Sequence, residues 1–357
     1  MSKKDKVIFL VGEDITSHLI LNGAIQATRN AGLDVVVYYA KHKVTKNAAQ
    51  PELKEFALHD RLLLNEVVYP YIDSAPATGA PNMSPKQLAD HYGYEMDYID
   101  DMNSPEFVEM MKQRDDIFFV LSNRSTHIFY DPLVKAINKD SPYGKFFNLH
   151  SGILPDYRGV MPTMRTMFDY ASGKRSLPPV FGLTLHKVDS YDKSKKDNGI
   201  DTGNVIDVAT FQDMKVGTGF GTQIKLAPWG VKVITKLIER LKDGDQALGT
   251  PQIEDKSGYY TFPTKAELKE WKNSGVLLFN ERETVSTLVR AFTLAGSAEE
   301  LELETSLKEK LAEWHKTTGI CTHADAQKPT QRLIPRTAAN GNGSPTASLV
   351  IPTAAAP

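Results

Sequence analysis

A single cysteine, Cys321, in a chain of 357 residues excludes an internal disulfide framework. Long hydrophobic runs are missing too. The longest, VIFLVG and DVVVYY, are strand-sized and far short of a membrane span. The polar start MSKKDKVIFLVGED lacks the extended apolar stretch of a secretory signal, so a reducing cytoplasm is the expected location and membrane insertion is not expected. No charge of one sign dominates: 42 Lys and Arg against 44 Asp and Glu give a formal net charge of -2. With no basic excess to displace counterions from a phosphate backbone, nucleic acid is not an expected partner. Gly12 is followed by EDITSHLILNG, which lacks the G-x-G-x-x-G spacing that brings backbone amides against a pyrophosphate, and a nicotinamide dinucleotide is disfavoured. No internal repeat is visible.

What is present is a globular composition, 41% hydrophobic and 24% charged, enough for one large or two modest domains. KVIFLVG reads as a strand apolar on both faces; SHLILNGAIQATRNAG follows with helical spacing at Leu21, Ala24, Ile25 and Thr28, then a second strand, LDVVVYYA. Residues 41–73 read as a loop and then a helix with Phe56, Leu63 and Val67 on one face, and 74–85 as an exposed Pro- and Ala-rich loop. A helix near 105–113, the strand DIFFVLS, the helix DPLVKAIN and the strand KFFNLH complete two more steps. A helix ending near Gly173, the strand VFGLTLHKVDS, a polar loop, the strand NVIDVA and an amphipathic helix over 228–242 follow. This alternation predicts an α/β fold, a Rossmann-like mostly parallel sheet with helices on both faces, plus a small C-terminal appendage. The expected divisions are a catalytic domain over 1–245, a connector and helical appendage over 246–320, and a disordered tail over 321–357. Within the appendage, Ser297 and Glu300 form a capping-box signature ahead of a helix striped by Leu307, Leu311 and Trp314 and stopped at Gly319.

The chemistry concentrates in FFNLHSGILPDYRG, residues 146–159. Asn148 and His150 lie two apart on an extended strand, so they point to one side, at the carboxyl edge where parallel sheets bind ligands. Asp201, delivered by the loop SYDKSKKDNGIDTG, adds a carboxylate that can orient the imidazole or accept a proton. An amide, an imidazole and a carboxylate suit acyl transfer to an amine: Asn148 and protonated His150 stabilise an oxyanion, and Asp201 assists proton movement. Ser151 adjoins His150, but neighbouring strand residues face opposite ways, which disfavours a Ser-His nucleophile.

NLHSGILPDYRG, FGLTLHKVD and GIDTGNVI resemble, in that order, the signature blocks of the folate-dependent formyltransferases. The resemblance covers about residues 6–242 and is clearest over 115–210. It implies the formyltransferase fold, N10-formyltetrahydrofolate as formyl donor, and a catalytic set of Asn148, His150 and Asp201. It also implies a folate pocket lined, largely through backbone, by Thr126, His127, Ile128 and Phe129 and by Asp197, Asn198, Gly199 and Ile200, and a cis bond at Leu154-Pro155. The sequence departs from the family at Gly152, where Ser is usual, and in the extra loop residues SYDKSKKDN. GYYTFPTKAELKEW followed by TVSTLVRAF resembles the connector after the catalytic domain of methionyl-tRNA and sugar formyltransferases, while the β-barrel appendage of the former is not evident.

Several residues carry two readings. A lone strand His is ordinarily structural, and only the joint pattern lifts His150 above that. His186 either meets substrate or only shapes the pocket. Arg158 either binds an anionic substrate or braces its loop by bonding carbonyls. A metal site from His150, His186 and Asp201 is not expected, because no short ligand spacing is present. The KSKK run at 193–196 reads as a solvated loop. The expected acceptor is the amine of a small metabolite: an amino sugar nucleotide, an amino acid or a siderophore precursor. The alternatives are a methionyl-tRNA formyltransferase-like enzyme, a formyltetrahydrofolate hydrolase, and a non-catalytic folate- or nucleotide-binding protein; a homodimer stays open.

Overall fold

In a computed structural model, the described residues are 5–41, 50–74, 79–194, 196–213, 217–253 and 258–322. Apolar residues on both faces of β1 (Lys6–Gly12) require cover on both sides, and the strand lies mid-sheet between β2 (Asp34–Ala40) and β4 (Ile117–Asn123), parallel to both. The seven-stranded sheet has the order β3-β2-β1-β4-β5-β7-β8, with β3 (Glu95–Ile99), β5 (Phe146–His150), β7 (Val180–Lys187) and β8 (Val205–Gln212). β3 to β5 are parallel to their neighbours; β7 runs antiparallel to β5 and β8 antiparallel to β7. The sheet is thus mostly parallel, as expected. A second, two-stranded ladder joins β6 (Arg158–Gly159) to β9 (Tyr259–Tyr260).

Helices α1 (Ile15–Asn30) and α9 (Ala227–Lys242) cover one face. They cross closely because Gly23 has no side chain: a Cβ there would lie 2.6 Å from Val231 Cγ2. Helices α5 (Pro105–Gln113) and α6 (Asp131–Asn138) cover the other. Helix α4 and strand β3 are among the elements without a counterpart in the sequence reading. Helix α4 (Pro85–Tyr92) starts at a full capping box, Ser84 with Gln87, and edge strand β3 is short and largely exposed, so the alternation in EMDYI is too brief to stand out.

The span read as one helix over the end of 41–73 is four pieces. α2 (Pro51–Ala57) passes into two π-helical turns, Leu58–Leu62 and Leu64–Val68, and then α3 (Tyr69–Ser74). This widened coil packs with α7 (Pro162–Ala171), α8 (Gly219–Ile224), α10 (Lys265–Asn273), α11 (Glu281–Phe292) and α12 (Ala298–Thr318) around a third core that includes Phe56, Leu64, Trp271, Phe279 and Leu307. His59 locks the contact, stacked 4.0 Å from Phe279 and bonded to Thr284 Oγ1 at 3.0 Å. The helices beyond residue 260 therefore share a core with residues 51–74. At the head of α12 the capping box is half formed: Ser297 Oγ accepts from Glu300 N, but the Glu300 carboxylate takes Gly296 N at 2.6 Å instead of the amide of Ser297. Gly319 ends the helix in the left-handed region at φ 66°. Residues 323–357, where the tail expectation falls, lie outside the described residues.

Because Leu307 is fully buried in this shared core, Leu307→Ala should cost about 2–5 kcal/mol in urea unfolding. A loss under about 0.5 kcal/mol, the level of a surface change, would contradict the shared core.

Candidate active site

β5 ends at the carboxyl edge of the sheet, where the chain turns through Ser151 to Arg158 with Leu154-Pro155 cis. Antiparallel pairing sets Asn148 directly opposite His186 on β7. The consequence is a side-chain bond: Asn148 Nδ2 lies 3.0 Å from His186 Nε2. His186 Nδ1 is 2.7 Å from the carbonyl of Lys187, which can only accept, so Nδ1 carries the proton and Nε2 is free to accept from the amide of Asn148. His186, buried, thereby fixes which way that amide faces.

Asp201 enters from the loop before β8 in the left-handed region at φ 54°. One carboxylate oxygen, Oδ2, is anchored by the amide of Gly159 at 2.8 Å. Three further groups stop just short of the carboxylate: His150 Nδ1 is 3.4 Å from Oδ2, and His186 Nε2 and Asn148 Nδ2 are each 3.5 Å from Oδ1. These contacts are too long for strong hydrogen bonds and leave proton positions open to a reacting molecule. His150 Nε2 donates to the carbonyl of Tyr157 at 2.6 Å, so in the neutral ring Nδ1 presents its lone pair toward Asp201. Burial lowers the pKa of His150, Asp201 pulls it back up, and the neighbouring His186 adds to the lowering. For Asp201, burial favours protonation, but His150, His186 and the Gly159 amide outweigh it and hold the carboxyl well below its usual range. An ionised carboxylate thus sits beside an imidazole that burial tends to keep neutral and the carboxylate tends to protonate.

Two cavities meet at this group. Both are lined by Arg124, Thr126, Asn148, His150, Gly159 and Val160. The first, of about 270 Å³, extends past Ser125 to Phe129, Val188 to Tyr191, Gly199 to Asp201 and Tyr259. Thr126, His127, Ile128 and Phe129 are all on its wall, as are Gly199 and Ile200. His127 has both ring nitrogens against carbonyls, Ser125 at 3.0 Å and Asp100 at 3.3 Å, so its side chain is occupied within its own loop. Asp197 and Asn198 lie behind the lining in left-handed conformation, φ 53° and 55°.

Arg158 is completely buried. Its guanidinium bonds Asp197 Oδ2 at 2.9 Å and Gln252 Oε1 at 3.0 and 3.1 Å, while Gln252 Nε2 donates to the carbonyls of Asp201 and Gly203 at 2.7 and 2.8 Å. Bracing is the role these contacts display: of side-chain carboxylate and amide rather than carbonyls alone. Gln252 had no signal in the sequence, since it lies far along the chain from both partners. At Gly152, a Cβ would come 2.5 Å from Pro162 Cβ and 3.0 Å from His150 Nε2, so the serine usual in similar sequences would displace the turn here.

The second cavity, of about 280 Å³, is walled by Leu53, Phe56, Ala57, Met161, Pro162 and Phe262 and carries Glu13, Asp14, Asp60, Arg61 and Arg124. None of these five charged residues was singled out from the sequence. Glu13 and Asp14 follow β1, while Asp60 and Arg61 come from the first π-helical turn.

Relatives of the chain share one printed activity. A methionyl-tRNA formyltransferase of Syntrophomonas wolfei is 23% identical over 239 residues, 66% of this chain and 69% of that protein. Another, of Chlamydia abortus, is 27% identical over 202 residues, 55% of this chain and 53% of its own length. Over that span the chain is similar to formyltransferases. The match thus spans about half to two thirds of these formyltransferases' length. Among solved structures, an N-formyltransferase of Helicobacter canadensis complexed with folinic acid and dTDP-3-aminofucose superposes with a TM-score of 0.44 at 18% identity, over 72% of this chain and 71% of that one. No family model matches.

Removing Arg158 would leave the Asp197 carboxylate and Gln252 unpaired in the interior. Arg158→Ala should therefore destabilise the protein by about 3–5 kcal/mol in chemical denaturation; unchanged stability would show that the fork is not a brace.

Proposed function

We propose that the protein transfers a formyl group from N10-formyltetrahydrofolate to the amine of a small metabolite. The observation that carries this reading is the convergence of Asn148, His150 and Asp201 at the junction of two cavities, one for a donor and one for an acceptor. The donor cavity has apolar walls at Ile128, Phe129, Val188 and Ile200 interrupted by loop backbone, a lining that fits a flat heterocycle with polar edges. The family supports the donor: it supplies a carbonyl attached to nitrogen and leaves as tetrahydrofolate.

The chain's own residues then have distinct tasks. The amide of Asn148, oriented by His186, lies where negative charge would gather on the formyl oxygen, and His150 Nδ1 adds a charged donor there once it has taken the amine's proton. As the new N–C bond forms and the bond to N10 breaks, the amine must lose a proton and N10 must gain one. His150 Nδ1 is suited to carry it, with Asp201 stabilising the imidazolium in between. Gly159 holds Asp201 in place for that work. Relatives named for methionyl-tRNA favour a second reading, in which the amine is carried on tRNA; the net charge of -2 weighs against it.

The test is release of tetrahydrofolate from 10-formyltetrahydrofolate with a panel of amines, methionyl-tRNA included, against a no-acceptor control. Turnover should require an acceptor; equal turnover without one would make the protein a hydrolase. Asn148→Ala and His150→Ala should each lower kcat by about 10²-fold or more, and near-normal rates in both would remove the assignment.

Since burial places the pKa of His150 below its ordinary 6.5, the neutral imidazole persists into mild acid and the acid limb of kcat should lie below pH 6.5. Asp201 is the main influence raising that pKa. Asp201→Asn should accordingly move the limb to still lower pH in whatever activity remains; a shift to higher pH would contradict the pairing.

A further inference from the structure

Among the buried polar atoms on the second cavity's lining residues that lack a hydrogen-bond partner, two on consecutive residues are of opposite sense. Asp60 is 8% exposed, and its Oδ2 is 3.1 Å from Arg124. Its Oδ1 has no hydrogen-bond partner, nor has Nη1 of the adjacent Arg61, although both atoms are shut off from solvent. Both residues line the cavity. A buried carboxylate oxygen and a buried guanidinium N–H each lose hydration without compensation, which is rare in a finished interior and expected where a ligand completes the bonding.

The neighbouring charges are already committed. Arg124 Nε is 2.8 Å from Asp14 Oδ1, and Asp14 also caps α1 by accepting from Ser17 N at 3.0 Å. Three carboxylates, Glu13, Asp14 and Asp60, face two guanidiniums, Arg61 and Arg124, so the described lining residues hold no cationic excess. Burial pushes Asp60 up to about 7 despite the pull of Arg124, with Asp14 adding to the rise. A phosphorylated group would add uncompensated negative charge, whereas a zwitterionic head brings its own ammonium for Asp60 and leaves the balance unchanged.

We propose that Asp60 and Arg61 select the acceptor by binding an α-amino acid head, with its ammonium on Asp60 Oδ1 and its carboxylate on Arg61 Nη1. The amine presented to His150 is then a side-chain amine, and the acceptor class is a basic amino acid rather than a nucleotide-linked sugar. The apolar wall from Leu53 to Ala57 with Met161 and Phe262 accommodates the methylene chain between the two ends. The inference rests on the formyl-transfer reading for its reaction, but its binding part stands separately. The π-helical turn matters here because it carries Asp60 and Arg61 on consecutive positions while His59 is anchored behind them to Phe279 and Thr284.

The probes are L-ornithine, 1,4-diaminobutane, which lacks the carboxylate, 5-aminopentanoate, which lacks the α-ammonium, and 4-aminobutyl phosphate. Binding is measured by calorimetry without donor and turnover by tetrahydrofolate release. L-ornithine should bind at least about 10-fold tighter than each of the others, the worth of one charge-assisted bond. Asp60→Asn keeps an oxygen for Arg124 and should abolish the preference over 5-aminopentanoate alone. Arg61→Gln should abolish the preference over 1,4-diaminobutane alone. No binding of L-ornithine, or equal losses for all four probes in both variants, overturns the inference. Turnover of 4-aminobutyl phosphate indifferent to Asp60 would leave formyl transfer standing and remove the amino acid head. Ornithine binding that depends on both residues, without tetrahydrofolate release, would do the reverse.

Discussion

One buried carboxylate organises the site. Asp201 would be expensive to ionise in an interior were it alone, and its ionisation is sustained by a fixed backbone N–H from Gly159 and by the His150 imidazole. Those partners come from β6 and the end of β5, while His186 on β7 acts through the Asn148 amide that it orients. None can shift without disturbing the charge balance of the others. The antiparallel pairing of β5 with β7 therefore has a chemical consequence, since it puts His186 beside Asn148 and leaves that amide with a defined direction. A parallel neighbour at this position would need a crossover connection and would not deliver the two side chains in this facing register.

The backbone around Asp201 is held in unfavourable conformations. Arg124, Thr126, Met161, Asp197, Asn198 and Asp201 all have positive φ without being glycine, and all lie in or beside the two cavities. Such residues each cost of order 1 kcal/mol and persist only where surrounding structure over-determines them. The fork from Arg158 to Asp197 and Gln252, and from Gln252 on to the carbonyls of Asp201 and Gly203, supplies that constraint. At Gly203 the chain comes so close to Lys187 that a Cβ would lie 2.0 Å from its carbonyl oxygen. The loop is thus pinned from below by buried hydrogen bonds and from the side by close packing, which suits a wall that must present backbone polar groups in a fixed pattern.

What was legible in the sequence follows from the range over which each signal acts. The central strands declare themselves because burial on both faces makes their composition apolar, and Asn148 with His150 stand out against that background. The order of β1, α1 and β2 is equally local. The edge strand β3 is quiet because it is five residues long and mostly exposed, so its alternation is too brief to mark a strand. The π-helical turns are misread because Leu58, Leu63 and Val68 recur every five residues, a spacing that helical periodicity of 3.6 does not recognise. Asp60 and Arg124 are 64 positions apart and meet only through folding; neither has a neighbour that marks it in one dimension. Gln252 is the same case.

That misread segment links the appendage to the chemistry. The first π-helical turn carries Asp60 and Arg61 to the wall of the second cavity on one side and His59 into the shared core on the other. Its position therefore depends on Phe279, in the link between α10 and α11, and on Thr284 of α11, and Phe262 from the same region closes part of the cavity wall. The two cavities differ in this respect. The cavity along Thr126 to Phe129 is built from the sheet edge and its loops, with Tyr259 alone reaching in from the later chain. The cavity that holds Asp60 and Arg61 leans on the C-terminal region for the placement of its charged residues. Changes in that region can consequently reshape this one cavity while the Asn148, His150 and Asp201 geometry, fixed by strand register, stays as it is.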